Sequence, residues 1–269
     1  QTLARSMVDF RTISYFAPQL SDNKLRVVAE GRMEGVVRDL HFYNISAISQ
    51  AGGFSGIVNG SLTGLPDIDN TRINATVRNF HLTTDGLGRF VSEWMKGGRL
   101  DLSRFAKGTV FNVEASAKGL LNSMQTKASI SSEIGQAEVE ARLSDLIISD
   151  KPIGIDGTVH TEDLDLGQII GTDIIHQTTL RTGLKARLTD GFPDVVIDSL
   201  IVDKMNLNGY DYSGIAAVGK LSERAFDGRI ICNDPSLNFL FQGTFALSSK
   251  TKNALYPFSA NVGHADLNA

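Results

Sequence analysis

Between Leu237 and Leu247 the large apolar residues Leu237, Phe239, Phe241, Phe245 and Leu247 all fall on odd positions, with Asn238, Gln242 and Thr244 on even ones. Successive side chains of a strand point to opposite faces, so this spacing predicts a strand with one apolar and one polar face. The same phrasing recurs along the chain. Leu25, Val27, Ala29, Gly31 and Met33 alternate with Arg26, Glu30, Arg32 and Glu34, with Val28 as the exception. Ile73, Ala75 and Val77 alternate with Arg72, Asn74, Thr76 and Arg78, and Phe111, Val113, Ala115 and Ala117 with Asn112, Glu114, Ser116 and Lys118. Thr126, Ala128 and Ile130 are followed by Ala137, Val139, Ala141 and Leu143, whose intervening residues are Glu138, Glu140 and Arg142. Leu180, Leu184, Ala186 and Leu188 stand against Arg181, Lys185 and Arg187. Parallel strands buried on both faces read as continuous apolar runs, so this alternation predicts an antiparallel sheet with one solvated face.

Helix is predicted only in short pieces. Leu87, Phe90, Val91, Trp94 and Met95 recur at helical spacing, with Thr84 or Asp85 to cap the start and Gly97-Gly98 the end. A shorter helix is expected in Asp165-Leu-Gly-Gln-Ile-Ile-Gly. Each follows a strand, and Ala260-Asn-Val-Gly-His-Ala-Asp-Leu repeats the strand ending a third time. These unevenly spaced copies read as part of a larger repeat array, with a possible subdivision near residues 148–152. The opening Gln1-Thr-Leu-Ala-Arg lacks both an initiator Met and a signal-peptide apolar region, in keeping with a segment of a longer chain.

Composition narrows the function more than the fold. Net charge is −4, which gives no electrostatic case for nucleic acid or an anionic membrane surface. The aromatics are 14 Phe against 5 Tyr and 1 Trp, a bias toward purely apolar contact. Cys232 is the single cysteine, so neither a disulfide framework nor a thiolate metal set is available. No run approaches the roughly 20 apolar residues that span a bilayer as a helix.

Reactive residue types are present but dispersed. Asp67, Asp69 and Asn70 could offer oxygens to calcium, yet the Gly and Glu of a calcium loop are replaced by Arg72 and Arg78, so a turn cap is expected. His41, His81, His160, His176 and His264 lack paired ligand spacing. Glu162, Asp163 and Asp165 alternate as a solvated strand end would, and no nucleophile elbow, phosphate loop or zinc-protease motif occurs. The expectation is a protein without a catalytic centre, a metal or a cofactor.

Five segments, in this order, carry a resemblance. They are Gly64-Leu-Pro-Asp-Ile-Asp-Asn-Thr-Arg-Ile-Asn-Ala-Thr-Val, Asp163-Leu-Asp-Leu-Gly-Gln-Ile-Ile-Gly, Leu207-Asn-Gly-Tyr-Asp-Tyr-Ser-Gly-Ile, Phe226-Asp-Gly-Arg-Ile-Ile-Cys-Asn-Asp-Pro-Ser-Leu-Asn-Phe-Leu-Phe-Gln-Gly, and Phe258-Ser-Ala-Asn-Val-Gly-His-Ala-Asp-Leu. Together they resemble the middle of the TamB proteins of the AsmA-like superfamily, those of Bacteroidetes in particular. The resemblance implies an elongated, curled antiparallel sheet, a half-open β-taco, in the periplasm. It implies a parent protein anchored in the inner membrane that serves phospholipid transport and outer-membrane biogenesis, with a BamA-like barrel as partner. Contact with the membrane itself would come only through parts outside this chain.

Alternation, read with that resemblance, nominates a lipid-groove lining: Leu25, Val27, Met33, Ile73, Val77, Phe111, Val113, Val139, Leu143, Leu180, Leu184, Leu188, Leu237, Phe239, Phe241, Phe245 and Leu247. The expected ligands are phospholipid acyl chains. Two other readings stay open on the sequence: a protein-binding scaffold whose apolar face is a closed core, and a carbohydrate-active or adhesive β-helix.

Overall fold

A computed structural model describes residues 2–9, 25–94, 108–146, 151–188, 193–222, 225–246 and 257–266. Strands dominate these residues: β1 (Thr2–Asp9), β2 (Arg26–Val36), β3 (Asp39–Ser49), β4 (Phe54–Thr63), β5 (Arg72–Thr83), β6 (Val110–Leu120), β7 (Ser123–Ser132), β8 (Gly135–Ser144), β9 (Ile153–Asp165), β10 (Ile175–Leu188), β11 (Asp194–Leu207), β12 (Tyr210–Tyr212), β13 (Ile215–Ser222), β14 (Ala225–Asn233), β15 (Leu237–Ala246) and β16 (Phe258–Ala265). They form one antiparallel sheet whose neighbours follow chain order, except that β12 pairs only with β11 and β13 takes the next place. The sheet is not closed, since β1 and β16 end that order. The protein is therefore mainly β, with short helices after strands.

Two units divide the chain: Gln1–Glu133 with Glu138–Ile153, and Ile134–Ala137 with Gly154–Ala269.

Tight connections explain the chain-order topology, because a two-residue loop can only return antiparallel to its own strand. Val36 pairs with Asp39 across such a loop, and Leu120 with Ser123. Between β11 and β12, Asn208 and Gly209 have φ of 50° and 92°, the left-handed pair that the Asn-Gly hairpin turn demands.

The helix α1 (Thr84–Trp94) follows β5 directly. Its cap is Thr83, whose hydroxyl accepts the Gly86 N–H at 3.1 Å, in place of the Thr84 or Asp85 expected from sequence. The helix start lies so close to the β3–β4 turn that a Cβ on Gly86 would meet the Gly53 carbonyl oxygen. The side chains of Phe90, Val91 and Trp94, together with Met95 and the expected Gly97-Gly98 stop, lie outside the description. The second helix, α2 (Leu166–Ile170), runs where expected, capped by Asp165 and ended by Gly171 in the left-handed conformation.

Bulges interrupt the strands in a repeated way. Asn44, Asn79 and Asp163 each adopt positive φ, of 47°, 49° and 44°. The first two mark register breaks, between Phe42 and Ile45 in β3 and between Val77 and Phe80 in β5. At each break the apolar face passes between odd and even residues: Ile73, Ala75 and Val77 share a face with Phe80 and Leu82. Asn and Asp are the non-glycine residues that tolerate this backbone, so they mark where the chain adds the extra residue of a bulge.

Candidate functional site: the apolar face

Register assigns the residues of β1 to β7 and of β10 to β16 to a face, because directly paired residues point the same way. In the second unit four rows cross the sheet perpendicular to its strands. The first runs Leu180, Val202, Ile215, Cys232, Phe239, Val262, and the second Thr182, Leu200, Ala217, Ile230, Phe241, Ala260. The third runs Leu184, Ile197, Gly219, Gly228, Gly243, Phe258, and the fourth Ala186, Val195, Leu221, Phe226, Phe245. No member of these rows carries a charge.

Shorter rows cross the first unit: Leu40, Leu62, Ile73; Ile45, Val58, Val77; and Phe54, Leu82, Phe111. Met33 faces Phe42, and Phe80 faces Val113, which faces Ile130. Phe54 and Phe80 stack with ring centres 5.5 Å apart.

Burial separates this face from a sealed core. Residues on it that are buried are mostly small or flanked by bulky neighbours, such as Val27, Ala29, Ala75, Ala186, Ala217, Val202 and Cys232. Leu180 and Phe226 are buried as well. Phe258 and Val262 are exposed, and the other large groups, among them Leu25, Met33, Ile73, Val77, Phe111, Val113, Val139, Leu143, Leu184, Leu188, Leu237, Phe239, Phe241 and Phe245, are half-buried. Leu247 lies outside the described residues.

An aromatic cluster sits over a glycine furrow in β13 to β15. Phe226 and Phe245 have ring centres 5.2 Å apart, Phe241 and Phe245 5.3 Å, and Phe241 and Phe258 5.8 Å. Gly219, Gly228 and Gly243 stand in line across the three strands. The Phe226 ring tip fills the space that a Cβ on Gly219 or Gly228 would take, at 2.8 and 2.7 Å from it. Glycine is needed there because a Cβ would also meet backbone of the adjacent strand, the Asp227 carbonyl oxygen at 2.6 Å from Gly219 and the Val218 carbonyl oxygen at 2.3 Å from Gly228.

The opposite face is less polar than its sequence alternation implies. Ile201 pairs with Ala216, Ala216 with Ile231 and Ile231 with Leu240, giving an apolar row on the reverse side. Val196, Ile201 and Val218 are exposed there. Ion pairs occupy much of the rest: Lys127–Glu140 at 2.6 Å, Lys185–Asp198 at 2.9 Å, and Arg181–Asp203 at 3.2 Å. The Lys185 ammonium pKa is held above its ordinary value by its hydrogen bond to Asp198 and the charge of that carboxylate. A shallow depression of about 350 Å³ lies on this charged side of β5 to β8, among Arg78, Glu114, Lys127, Glu138 and Glu140. Exposed pairs of this kind contribute little to stability. Lys127→Ala should therefore leave the melting temperature within about 2 °C of the parent, measured by circular dichroism.

Residues of reactive type are engaged separately. Asp67 accepts the Asn70 side-chain amide at 2.8 Å and its backbone N–H at 3.3 Å, the turn cap expected from sequence. Its carboxyl pKa is lowered by these bonds, the side-chain one foremost. Asp163 pairs with Lys204, Asp165 caps α2, and His81 hydrogen-bonds Asn112 on the adjacent strand. Among the described residues no three His, Cys, Asp or Glu side chains gather as a metal site. No helix among them is long and apolar enough to cross a membrane.

Sequence reading missed about as many members of the apolar face as it named. Phe226, Ile230 and Cys232 alternate plainly in β14 and could have been found. Val195, Ile197, Leu200 and Val202 were hidden because β11 is apolar on both faces and its register shifts between Ile197 and Leu200. Phe80 and Leu82 were hidden by the bulge at Asn79.

No family model matches the chain, and neither a curated protein nor a solved structure matches it.

Proposed function

We propose that this chain is a segment of a periplasmic bridge whose apolar face carries phospholipid acyl chains between the inner and outer membranes. The supporting observation is the set of uncharged, half-open rows across β10 to β16. Five strand spacings of about 4.8 Å make a row roughly 24 Å long. One leaflet fills half of a hydrocarbon core about 30 Å thick, so a row has length to spare for one acyl chain. Direction of travel and headgroup play no part in this contact, because nothing charged stands in the rows.

Magnitudes favour an open trough over a deep pocket for transport. Complete desolvation of sixteen carbons would be worth about 13 kcal/mol at about 0.8 per methylene, which would hold the lipid too firmly to pass on. A face that covers one side of the chain contributes roughly half of that. In this reading the parent protein is anchored in the inner membrane, works in outer-membrane biogenesis, and meets a BamA-like barrel, all as the TamB resemblance implies. The role is conveyance, not catalysis.

Photo-crosslinking tests it. With a photoreactive amino acid at Phe239 or Phe241, protein exposed to phosphatidylethanolamine vesicles should yield lipid adducts by mass spectrometry. The same group at Gln242, on the opposite face, should yield few. Absence of adducts at both Phe positions would sink the acyl-chain reading.

A second reading has its own support. The apolar groups on the reverse of the same unit, the row from Ile201 to Leu240 and the exposed Val196 and Val218 beside it, suit a scaffold that docks another protein. Under that reading apolar dyes would be displaced by a protein partner and not by lipid.

A further inference from the structure

We propose that the cavity where α1 meets the β3–β4 turn is a seat for the phosphate group of a lipid, held by Arg89 and Ser49 while the acyl tail leaves along the apolar face. The proposal deepens the acyl-chain reading and rests on it, since that reading leaves the charged end of the lipid unassigned.

The cavity lies in the first unit and measures about 220 Å³, with Leu25, Ser49, Phe54, Gly86 and Arg89 among its walls. Sites that enclose a drug-sized ligand run to roughly 300–1,000 Å³. This one has room for a small group and not for a whole lipid.

Its walls differ in character. Leu25 and Phe54 supply carbon. Phe54 opens the row Phe54, Leu82, Phe111, so the apolar face runs out of the cavity. Ser49 belongs to that face as well: it pairs with Val27, and Ala47, two residues before it, pairs with Gly56, two residues after Phe54. Ser49 is 7% exposed, yet among the described residues its hydroxyl makes no hydrogen bond. A buried hydroxyl in that state lacks the partner that folded chains normally provide, and a phosphate oxygen would accept from it.

Arg89 brings the charge. Its guanidinium reaches back to the turn, where a terminal nitrogen lies 3.2 Å from the place a Cβ on Gly53 would take. The approach is this close because residue 53 has no side chain. A guanidinium presents five N–H donors in a planar fork that matches phosphate oxygens, so a contact already made within the protein leaves donors for a ligand. Arg89 is exposed, which leaves the seat open to solvent on one side. A headgroup can therefore enter and leave without unfolding the sheet.

Equilibrium dialysis of the whole chain against submicellar oleoyl probes tests the seat. Lysophosphatidic acid should bind about tenfold tighter than monoolein, which has the same tail without the phosphate. It should also bind at least about tenfold tighter than inorganic phosphate or glycerol 3-phosphate, which have no tail. Arg89→Gln should abolish the preference for lysophosphatidic acid over monoolein, and Ser49→Ala should reduce it about threefold. Unchanged monoolein binding shows that each variant is folded. Arg229→Gln, at an exposed position on β14, should leave the preference intact. Equal binding of the two oleoyl probes, a preference that survives Arg89→Gln, or free phosphate bound as tightly as lysophosphatidic acid would each overturn the proposal. Failure of both oleoyl probes to bind would bring down the acyl-chain reading with it, whereas equal binding of the two removes the seat alone.

Discussion

Asp234→Ala is expected to cost about 3 kcal/mol of stability, seen as a fall of roughly 6–12 °C in melting temperature. Asp234 follows β14 and is buried. Its Oδ2 accepts the Ser213 N–H at 2.8 Å and the Ser213 hydroxyl at 3.0 Å. Oδ1 accepts the Ser236 N–H at 2.9 Å and the Tyr210 hydroxyl at 3.0 Å, and Tyr210 in turn accepts from the Ser236 hydroxyl. One carboxylate thus ties the chain between β12 and β13 to the β14–β15 connection. Hydrogen bonds to a charged acceptor are worth about 1.5–3 kcal/mol each and do not add, while buried donors left without a partner carry their own penalty.

The same geometry fixes the pH dependence. Burial raises the Asp234 pKa, but the bonds from Ser236, Ser213 and Tyr210 outweigh it, and the net shift is downward from 3.8. A carboxylate with a depressed folded pKa contributes stability that is whole above its unfolded value and is lost as pH falls through the folded value. Asp234→Asn should therefore be less stable than the parent at pH 7, with the gap narrowing below about pH 4. Urea denaturation at pH 7 and pH 3 measures both. An unchanged gap would mean that packing, not charge, makes the connection rigid.

Gly228→Val is expected to cost at least about 3 kcal/mol, beyond the usual range for overpacking. A Cβ there would stand 2.3 Å from the Val218 carbonyl oxygen and 2.7 Å from the Gly219 Cα, both backbone atoms, as well as against the Phe226 ring. Backbone cannot turn aside as a side chain can, so β13 and β14 would have to part. Gly183→Ala is the matched control: its Cβ would meet only the Ser199 hydroxyl, at 3.3 Å, and its cost should stay below about 1 kcal/mol. If chemical denaturation found the two equal, the furrow would be incidental to the aromatic cluster.

These elements show what was legible from residues alone. Strand identity, antiparallel pairing and the one-sided apolar pattern were readable because burial of one face imposes a period of two. Asp67 as a turn cap was readable because it stands in its local sequence context, whereas Asp165, read only as part of a solvated strand end, proves to cap α2. The bulges at Asn44 and Asn79 were not readable, since an extra residue looks the same as an ordinary polar position until a partner strand is placed beside it. The Asp234 network was hidden for another reason: Tyr210, Ser213 and Ser236 converge only through pairing of strands apart in sequence. The reverse-side row through Ile201 went unread, because β11 is apolar on both faces and shows no alternation to mark it.

The left-handed Asn and Asp residues also set how this chain can change length. Deleting Asn79 alone would invert Phe80 and Leu82 toward water while leaving Ile73 and Val77 in place, whereas a paired deletion at Asn44 and Asn79 would shift two strands in concert. Insertions and deletions of single residues are thus tolerated or forbidden according to the phase they leave behind. The oily side of the sheet can be lengthened strand by strand only where each added residue is answered by a second.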